Sequence, residues 1–381
     1  MNVNDFKRIN VLRIIGECKT GGTETIALNY YKRIDHKKIG MDFLFYGESL
    51  PRFQNELEKN GDRVINVSDY TDYPIKAIKE IKNAVHDGKY DIVHAQLNAL
   101  NAMPLLGAFL GGAKIRIAAN HSTSNLRYET KKSIIKYILK PTSTMFATNL
   151  AACSRFAAIW CYGKKNVKKG KVKIIRNAID LSKYSFSEEK RNYIRKKMRW
   201  ENKFIIGHAG RFTEQKNHDF LIDIFYKIQQ TNNDAILVLC GEGHLQDKIR
   251  EKVSNLGISD KVEFLNIRFD VNELMQGMDL IVFPSLYEGF GNVLVEAQAV
   301  GLHCLASDVI PHEVKLTNYV KFLSLKDSPD IWANEVLKYA NGYERKDTHP
   351  VLIKNGYEIN SAARDLEEYY LKLVVEKKDE L

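Results

Sequence analysis

The sequence predicts an α/β protein built from two doubly wound parallel sheets, and three observations lead there. Short apolar runs alternate with longer amphipathic segments, and this alternation halts near residues 171–180 before starting afresh. At 381 residues the chain exceeds what one hydrophobic core usually holds. With 44% apolar and 10% aromatic residues, each half can bury a core of its own, which excludes wholesale disorder.

Taken in order, 10–16 (NVLRIIG) reads as a buried strand and 22–34 as the helix after it. Residues 41–46, 63–67, 91–94 and 115–119 read as further strands with helical segments between them. The second series runs strand 203–209, helix 218–230, strand 235–240, helix 245–256, strand 262–265 and short helix 271–277. Strand 280–283, helix 292–300 and strands 303–306 and 320–323 complete it. Helix 361–376, with Leu366, Tyr369, Tyr370 and Leu373 at helical spacing, closes the chain. Regular strand–helix alternation makes the sheets parallel and covers both faces. The expected division is 1–178, 179–360 and a terminal helix in 361–381.

Composition narrows the class. No apolar run reaches membrane-spanning length; the best, 99–113, carries Asn101, Pro104 and three glycines. The polar first ten residues read as neither signal peptide nor anchor. Five scattered cysteines (Cys18, Cys153, Cys161, Cys240, Cys304) fit neither a disulfide framework nor a zinc site, so a cytoplasmic protein with reduced thiols is expected. The net charge of +10 is divided as +15 in residues 1–178 and −5 in the remainder. Residues 130–179 hold twelve Lys and Arg and no acid. That bias points to an anionic partner (membrane surface, lipid phosphate or nucleic acid) or else to a solvated basic face.

In open parallel sheets ligands lie beyond the carboxyl ends of the strands. Four segments there carry chemistry. Lys19-Thr20-Gly21-Gly22-Thr23-Glu24 follows the first strand, and its two glycines admit a ligand close to the backbone at a helix start. Gly210-Arg211-Phe212-Thr213-Glu214-Gln215-Lys216-Asn217 sets a guanidinium and an ammonium on one loop, suited to a diphosphate without a metal. Glu288-Gly289-Phe290-Gly291-Asn292-Val293-Leu294-Val295-Glu296 places two carboxylates eight positions apart, one in a glycine loop and one inside the helix it opens. Amides at Gly291, Asn292 and Val293 suit a phosphate, Glu288 suits sugar hydroxyls and Glu296 the ribose diol. His94 and His121 end two N-terminal strands, where a neutral imidazole bonds a sugar hydroxyl.

Arg211 with Lys216, then Glu288 and Glu296, resembles the retaining family 4 glycosyltransferases of the GT-B fold. Gly21-Gly22 with Glu24, Ile92-Val93-His94, Asn177-Ala178-Ile179-Asp180 and Pro284-Ser285-Leu286-Tyr287-Glu288-Gly289 extend the likeness over nearly the whole chain, and the branch it is most similar to builds surface or capsular polysaccharide. The resemblance implies two Rossmann-like domains facing a cleft, an acceptor domain and a nucleotide-sugar domain, with the last helix crossing back to the first. It implies that Arg211 and Lys216 hold the diphosphate, that Glu296 binds ribose, and that Glu288 binds the transferred sugar. Amides from Phe290 to Asn292 would contact phosphate or sugar, His121 would orient the sugar, and Gly21 and Gly22 would close on the phosphate. Arg268 would line the base slot, and His94 would stand on the acceptor side. Ala178 departs from the family, where glycine is frequent.

No Asp-x-Asp occurs, and two cations at the diphosphate leave no need for a metal or other cofactor. A nucleotide-sugar donor, UDP-linked by family frequency, and a saccharide or lipid-diphosphate acceptor are the expected partners. The basic N-terminal half is expected to dock on the anionic inner leaflet. Three other readings remain: an epimerase of the same architecture, a non-catalytic sugar-nucleotide binder, and a nucleic-acid binder. For the last, Tyr128, Tyr137 and Trp160 are sparse as stacking platforms, and the two glutamates stay idle; no nucleic acid is expected.

Overall fold

A computed structural model of the chain describes residues 8–17, 22–48, 51–123 and 137–379. These fall into two compact units, one of 8–123, 137–179 and 356–379, the other of 180–355. The second unit therefore ends at 355, and the final helix belongs with the first unit from its start.

Unit 1 holds a seven-stranded parallel sheet in the order β3-β2-β1-β4-β5-β6-β7. Its strands are β1 (Ile9–Glu17), β2 (Ile39–Tyr46), β3 (Val64–Val67), β4 (Ile92–Ala95), β5 (Ile115–Asn120), β6 (Asn149–Ala152) and β7 (Val172–Ile174). Between them run α1 (Gly22–Tyr31), α2 (Pro51–Glu58), α3 (Pro74–Gly88), α4 (Ala102–Leu110) and α5 (Arg155–Lys168). Strand residues alternate between two cores. Val11 and Ile15 pack with Ile26 and Tyr30 of α1, while Leu12 and Ile14 pack with Ile81 of α3 and Leu105 of α4. A sheet buried on both faces requires such continuous apolar strands, and β2 is buried at all eight positions.

Two strands escaped the sequence reading. β6 (NLAA) offers alanines in place of branched residues, and β7 (VKI) is three residues long at an edge amid lysines. Short, lysine-flanked edge strands resist further pairing and give little periodic signal.

Unit 2 holds a six-stranded parallel sheet, β10-β9-β8-β11-β12-β13. Its strands are β8 (Phe204–Ala209), β9 (Ala235–Cys240), β10 (Val262–Phe264), β11 (Leu280–Phe283), β12 (His303–Ser307) and β13 (Val320–Leu323). Its helices are α6 (Glu188–Met198), α7 (His218–Gln229), α8 (Gln246–Asn255), α9 (Val271–Gly277), α10 (Asn292–Ala299), α11 (Pro329–Leu337) and α12 (His349–Lys354). The long α13 (Ile359–Asp379) then returns to unit 1, where Leu366, Tyr370 and Leu373 join the core beside Val11 and Ile15.

Both sheets reverse their winding beside the first strand, between β1 and β4 and between β8 and β11. Ligands of doubly wound sheets collect at such reversal points, beyond the carboxyl ends of the strands. Cys153, Cys161, Cys240 and Cys304 are buried free thiols, and no helix of the described residues is long and apolar enough to cross a membrane. Ala178 is buried without a positive φ, so nothing at that place requires glycine.

Candidate active site

The β8–α7 and β11–α10 loops meet at the reversal point of unit 2 and are stitched together over four bonds. The Leu286 amide donates to the Gln215 carbonyl at 2.8 Å. The Gln215 side-chain amide donates to the Tyr287 carbonyl at 3.0 Å, and that of Asn217 to the Pro284 carbonyl at 3.1 Å. The fourth bond joins Lys216 Nζ to Glu288 Oε1 at 2.6 Å, with both side chains largely buried. The Lys216 ammonium also lies 4.5 Å from the centre of the Phe283 ring. A short, shielded pair of this kind is charge-assisted on both sides and holds each head group in place.

Two glycines permit this arrangement. Gly241, with φ of 140°, presents its α-carbon so close to Gly210 that an added Cβ would stand 2.1 Å from the Gly210 carbonyl oxygen. The β9 loop therefore props the loop that carries Arg211 and Lys216. Gly291 caps α10 with φ of 101°, in the left-handed region that side chains avoid. From that cap the helix rises immediately, and its leading amides lack acceptors within the helix.

Arg211 is exposed, and its guanidinium forms no hydrogen bond or ion pair among the described residues. Beneath the loop the floor is neutral and aromatic. His218 stacks on Phe212 with centroids 4.1 Å apart, and His208 stacks on Phe283 at 5.7 Å. Burial, aided by the neighbouring Lys216 charge, pushes His208 down to about 4 and His218 to about 2, against the pull of the Val282 carbonyl on His208. Cationic charge at this edge thus comes from Arg211 and Lys216, and Glu288 neutralises one of them.

Glu296 lies one turn into α10, partly buried, and its side chain has no hydrogen bond among the described residues. Burial alone raises its carboxyl to about 7. Near it stands the Tyr184 phenol, raised well above its ordinary value by burial first and by Glu296 second. An acceptor with two free oxygens and no internal partner suits a vicinal diol. Phe290 and Glu288 are buried, while Asn292 and Val293 are half-buried on the first turn. Arg268 stands on the β10–α9 loop at the same sheet edge, held by two bonds to Asp270 at 2.8 and 2.6 Å.

In unit 1 the expected residues divide. His121 follows β5; its amide donates to Asn98 Oδ1 at 2.6 Å, and its Nε2 lies 3.1 Å from the Gln96 amide nitrogen. That nitrogen can only donate, so Nε2 accepts and Nδ1 carries the proton. Burial, then the Arg13 charge, lowers His121 to about 4 against a bond to Asn177, so the ring is neutral at pH 7. Gly22 is exposed at the start of α1, whereas Gly21 lies outside the described residues, as do 130–136 of the basic window. His94 is a correction. It has no exposed surface, and its Nδ1 pairs with the Tyr370 hydroxyl at 2.6 Å. α13 covers that face of β4, so the residue reaching the sheet edge is Gln96, two places further on the same face.

Residues 189–358, almost all in unit 2, match the family described as glycosyl transferases group 1. The putative glycosyltransferase EpsF of Bacillus subtilis is 31% identical over 87% of each chain. This chain belongs to the glycosyltransferases of that family. They are the family 4, GT-B enzymes whose motifs the sequence resembles. The UDP-Gal:alpha-D-GlcNAc-diphosphoundecaprenol alpha-1,3-galactosyltransferase of Escherichia coli is 24% identical over 80% of this glycosyltransferase and 82% of its own length. The fold matches that of Anabaena HepE, solved with UDP and glucose, with a TM-score of 0.73 over 98% of this chain and all of the other, at 19% identity.

Tyr184, and the bonding roles of Gln215 and Asn217, had no signal of their own in the sequence. Gln215 and Asn217 were legible only as members of the loop, and Tyr184 lies more than a hundred residues from Glu296 in the chain.

The raised Glu296 carboxyl makes a pH prediction. Its folded pKa of about 7 stands above the ordinary 4.5, so the folded chain holds the proton more tightly, and stability falls as pH rises through that window. Glu296→Gln removes the effect. Urea unfolding should show the two proteins alike near pH 4 and the variant more stable by about 1–3 kcal/mol at pH 8; parallel curves would contradict it.

Proposed function

We propose that this glycosyltransferase moves a hexosyl group from a UDP-sugar, with retention and without a metal, to a saccharide or lipid-linked acceptor in surface polysaccharide assembly. The observation that carries the reading is the composition of one sheet edge. A free guanidinium, an ammonium paired to a buried carboxylate and a helix start lie beside a second carboxylate that has no partner. A nucleotide diphosphate joined to a sugar requires these groups: cations and amides for the phosphates, a carboxylate for each set of hydroxyls. The UDP-bound HepE structure and the UDP-Gal named for the Escherichia coli relative support uridine, and the diphosphoundecaprenol in that name supports a lipid-borne acceptor.

In the proposed reaction the bond from the anomeric carbon to the diphosphate oxygen breaks as the acceptor oxygen bonds to the same face. The departing phosphate takes the acceptor proton, so the step balances without an external base. Arg211 and Lys216 stabilise the negative charge that grows on the leaving nucleotide. As phosphate draws on the Lys216 ammonium, the Glu288 carboxylate turns to the sugar hydroxyls. His121, neutral, is assigned to orient the sugar as a hydrogen-bonding group. Gly21, Gly22, Phe290, Gly291, Asn292 and Val293 are assigned to the phosphates and Arg268 to the base.

The enzyme is further assigned to the cytoplasmic face of an anionic membrane. Ile138, Met145 and Phe156 are exposed in unit 1 at 67%, 67% and 42%. In the same unit Lys140, Lys164, Lys165, Lys168, Lys169 and Lys171 form no ion pair among the described residues. Unpaired cations together with exposed apolar groups suit an anionic lipid surface better than a duplex, at about 1 kcal/mol per lysine near the headgroups.

Thermal shift against UDP-, GDP- and ADP-sugars tests the donor. A UDP-sugar at a hundred times its dissociation constant should stabilise the fold by about 2.7 kcal/mol, and Arg211→Ala should remove most of that gain. Equal responses to all three nucleotides would overturn the assignment, as would an inverted anomer in the product or loss of activity in EDTA.

Flotation with vesicles tests the surface. Recovery should be high with anionic lipid, low with neutral lipid, and reduced by Ile138→Asp with Met145→Asp. Equal recovery in both vesicle types would end the membrane assignment.

A further inference from the structure

The reversal point of unit 1 holds a cation that the proposed reaction does not use. Arg13 lies in the middle of β1, opposite Phe43 of β2 and His94 of β4 in register, and is 2% exposed. Its side chain points to the face covered by α1 and α13, with its guanidinium carbon 5.8 Å from the Phe43 ring centre. Its Nε and Nη1 are buried and have no hydrogen-bond partner among the described residues. The ionisable groups that favour its charge are two phenols, Tyr370 and Tyr30, and no carboxylate pairs with it among the described residues.

The atoms around it are unsatisfied in the same way. Among the described residues His94 Nε2 is buried without a partner, its other nitrogen being taken by Tyr370. Gln96 donates toward His121, while its own Oε1 is buried without a partner among the described residues. Arg13, His94, Gln96 and His121 share one face of the sheet, stepping upward from mid-strand to the edge, where His121 is partly exposed. Buried polar groups are bonded in the great majority of proteins, and a buried guanidinium without a counter-charge is the costliest exception. Their concentration on one face, at a ligand-collecting position, is the signature of a site whose partner comes from outside the chain.

The geometry points to an oxyanion subsite in unit 1. Arg13 is its floor, His94 and Gln96 are its walls and His121 its mouth, and it takes a sugar bearing one anionic group. Arg13 offers donors to the anion, and Gln96 Oε1 offers an acceptor to an adjacent hydroxyl, so a sugar phosphate or a sugar acid fits where a bare anion leaves acceptors unmet. This deepens the proposed function and rests on it only in taking that sugar to be part of donor or acceptor.

The test is a titration of the full-length enzyme, saturated with UDP, with glucose 1-phosphate, glucuronate and neutral methyl glucoside. UDP occupies the nucleotide site, so it removes Arg211 and Lys216 from the comparison. One of the two anionic sugars should bind at least about tenfold more tightly than the neutral one; the phosphate identifies a phosphosugar subsite, the carboxylate a uronosyl one. Arg13→Met should abolish the preference, leave UDP affinity within about twofold and raise Tm, because an uncompensated buried charge has been removed. Arg13→Lys should keep part of the preference.

A wild type without preference overturns the subsite, whatever the variants do. So does an Arg13→Met protein that retains the preference, or one that loses stability while Arg13→Lys shows none, since Arg13 would then be structural. Failure of UDP itself to bind would instead count against the nucleotide reading, and the sugar titration would still decide the subsite.

Discussion

Lys216 and Glu288 are 72 residues apart in the chain and meet at 2.6 Å where two loops close the edge of the second sheet. Much of unit 2 is arranged to allow this. An ammonium and a carboxylate shielded from water pay heavily in desolvation unless they pair at short range with their remaining valences met. The Gln215 and Asn217 bonds supply that precision by tying one loop to the backbone of the other. The tight approach of Gly241 to Gly210 supplies it from the other side. With Lys216 compensated, Arg211 remains as a net positive charge at the rim, while Glu296 sits near half-protonation at neutral pH. The rim of the site is thus cationic, with carboxylate acceptors beside it, which is the electrostatic complement of the nucleotide-sugar proposed for it.

The two units repeat one topology and differ in how they treat charge. Each sheet reverses beside its first strand, β1 against β4 and β8 against β11. Unit 2 carries its cations on the loops beyond the strands, where water and ligand reach Arg211. Unit 1 carries Arg13 within the strand, buried, with Gln96 and partly exposed His121 above it on the same face. The loop placement tolerates a ligand that comes and goes, since solvent replaces it. The strand placement leaves a buried charge unsatisfied whenever nothing is bound, which stores a penalty in the free protein and returns it on binding.

Legibility in the sequence followed the same division. The second series of strands was readable almost to the residue, because most are apolar runs ended by glycine, proline or a charged loop, with one charge each in β10 (VEF) and β13 (VKFL). The two loops that meet at its edge were noticeable too, because the cations and carboxylates that interrupt a glycine loop stand out against any periodic background, and the structure joins Lys216 to Glu288. In unit 1 the short strands β6 and β7 disappeared, one for lack of branched residues and one for length. His94 was read as a rim residue because its strand was ended at 94. The structure continues β4 through Ala95 and brings α13 over that face from the far end of the chain. No local pattern reports a helix arriving from nearly 280 positions away.

Arg13 shows what such patterns conceal. Inside NVLRIIG it reads as one polar interruption of a buried strand, which an edge or a snorkelling side chain would ordinarily explain. β1 is neither at an edge nor near solvent: it is central in its sheet and the residue is covered by two helices. Every rule that makes the rest of the strand predictable argues against arginine there. Where local pattern, burial and polar satisfaction all agree, the chain is building its fold; where one position breaks all three beside a topological reversal, the likeness to unit 2 makes ligand binding the economical explanation. The same reasoning accounts for Glu296, a partly buried carboxylate among Val, Leu and Ala of α10 whose side chain has no hydrogen-bond partner among the described residues.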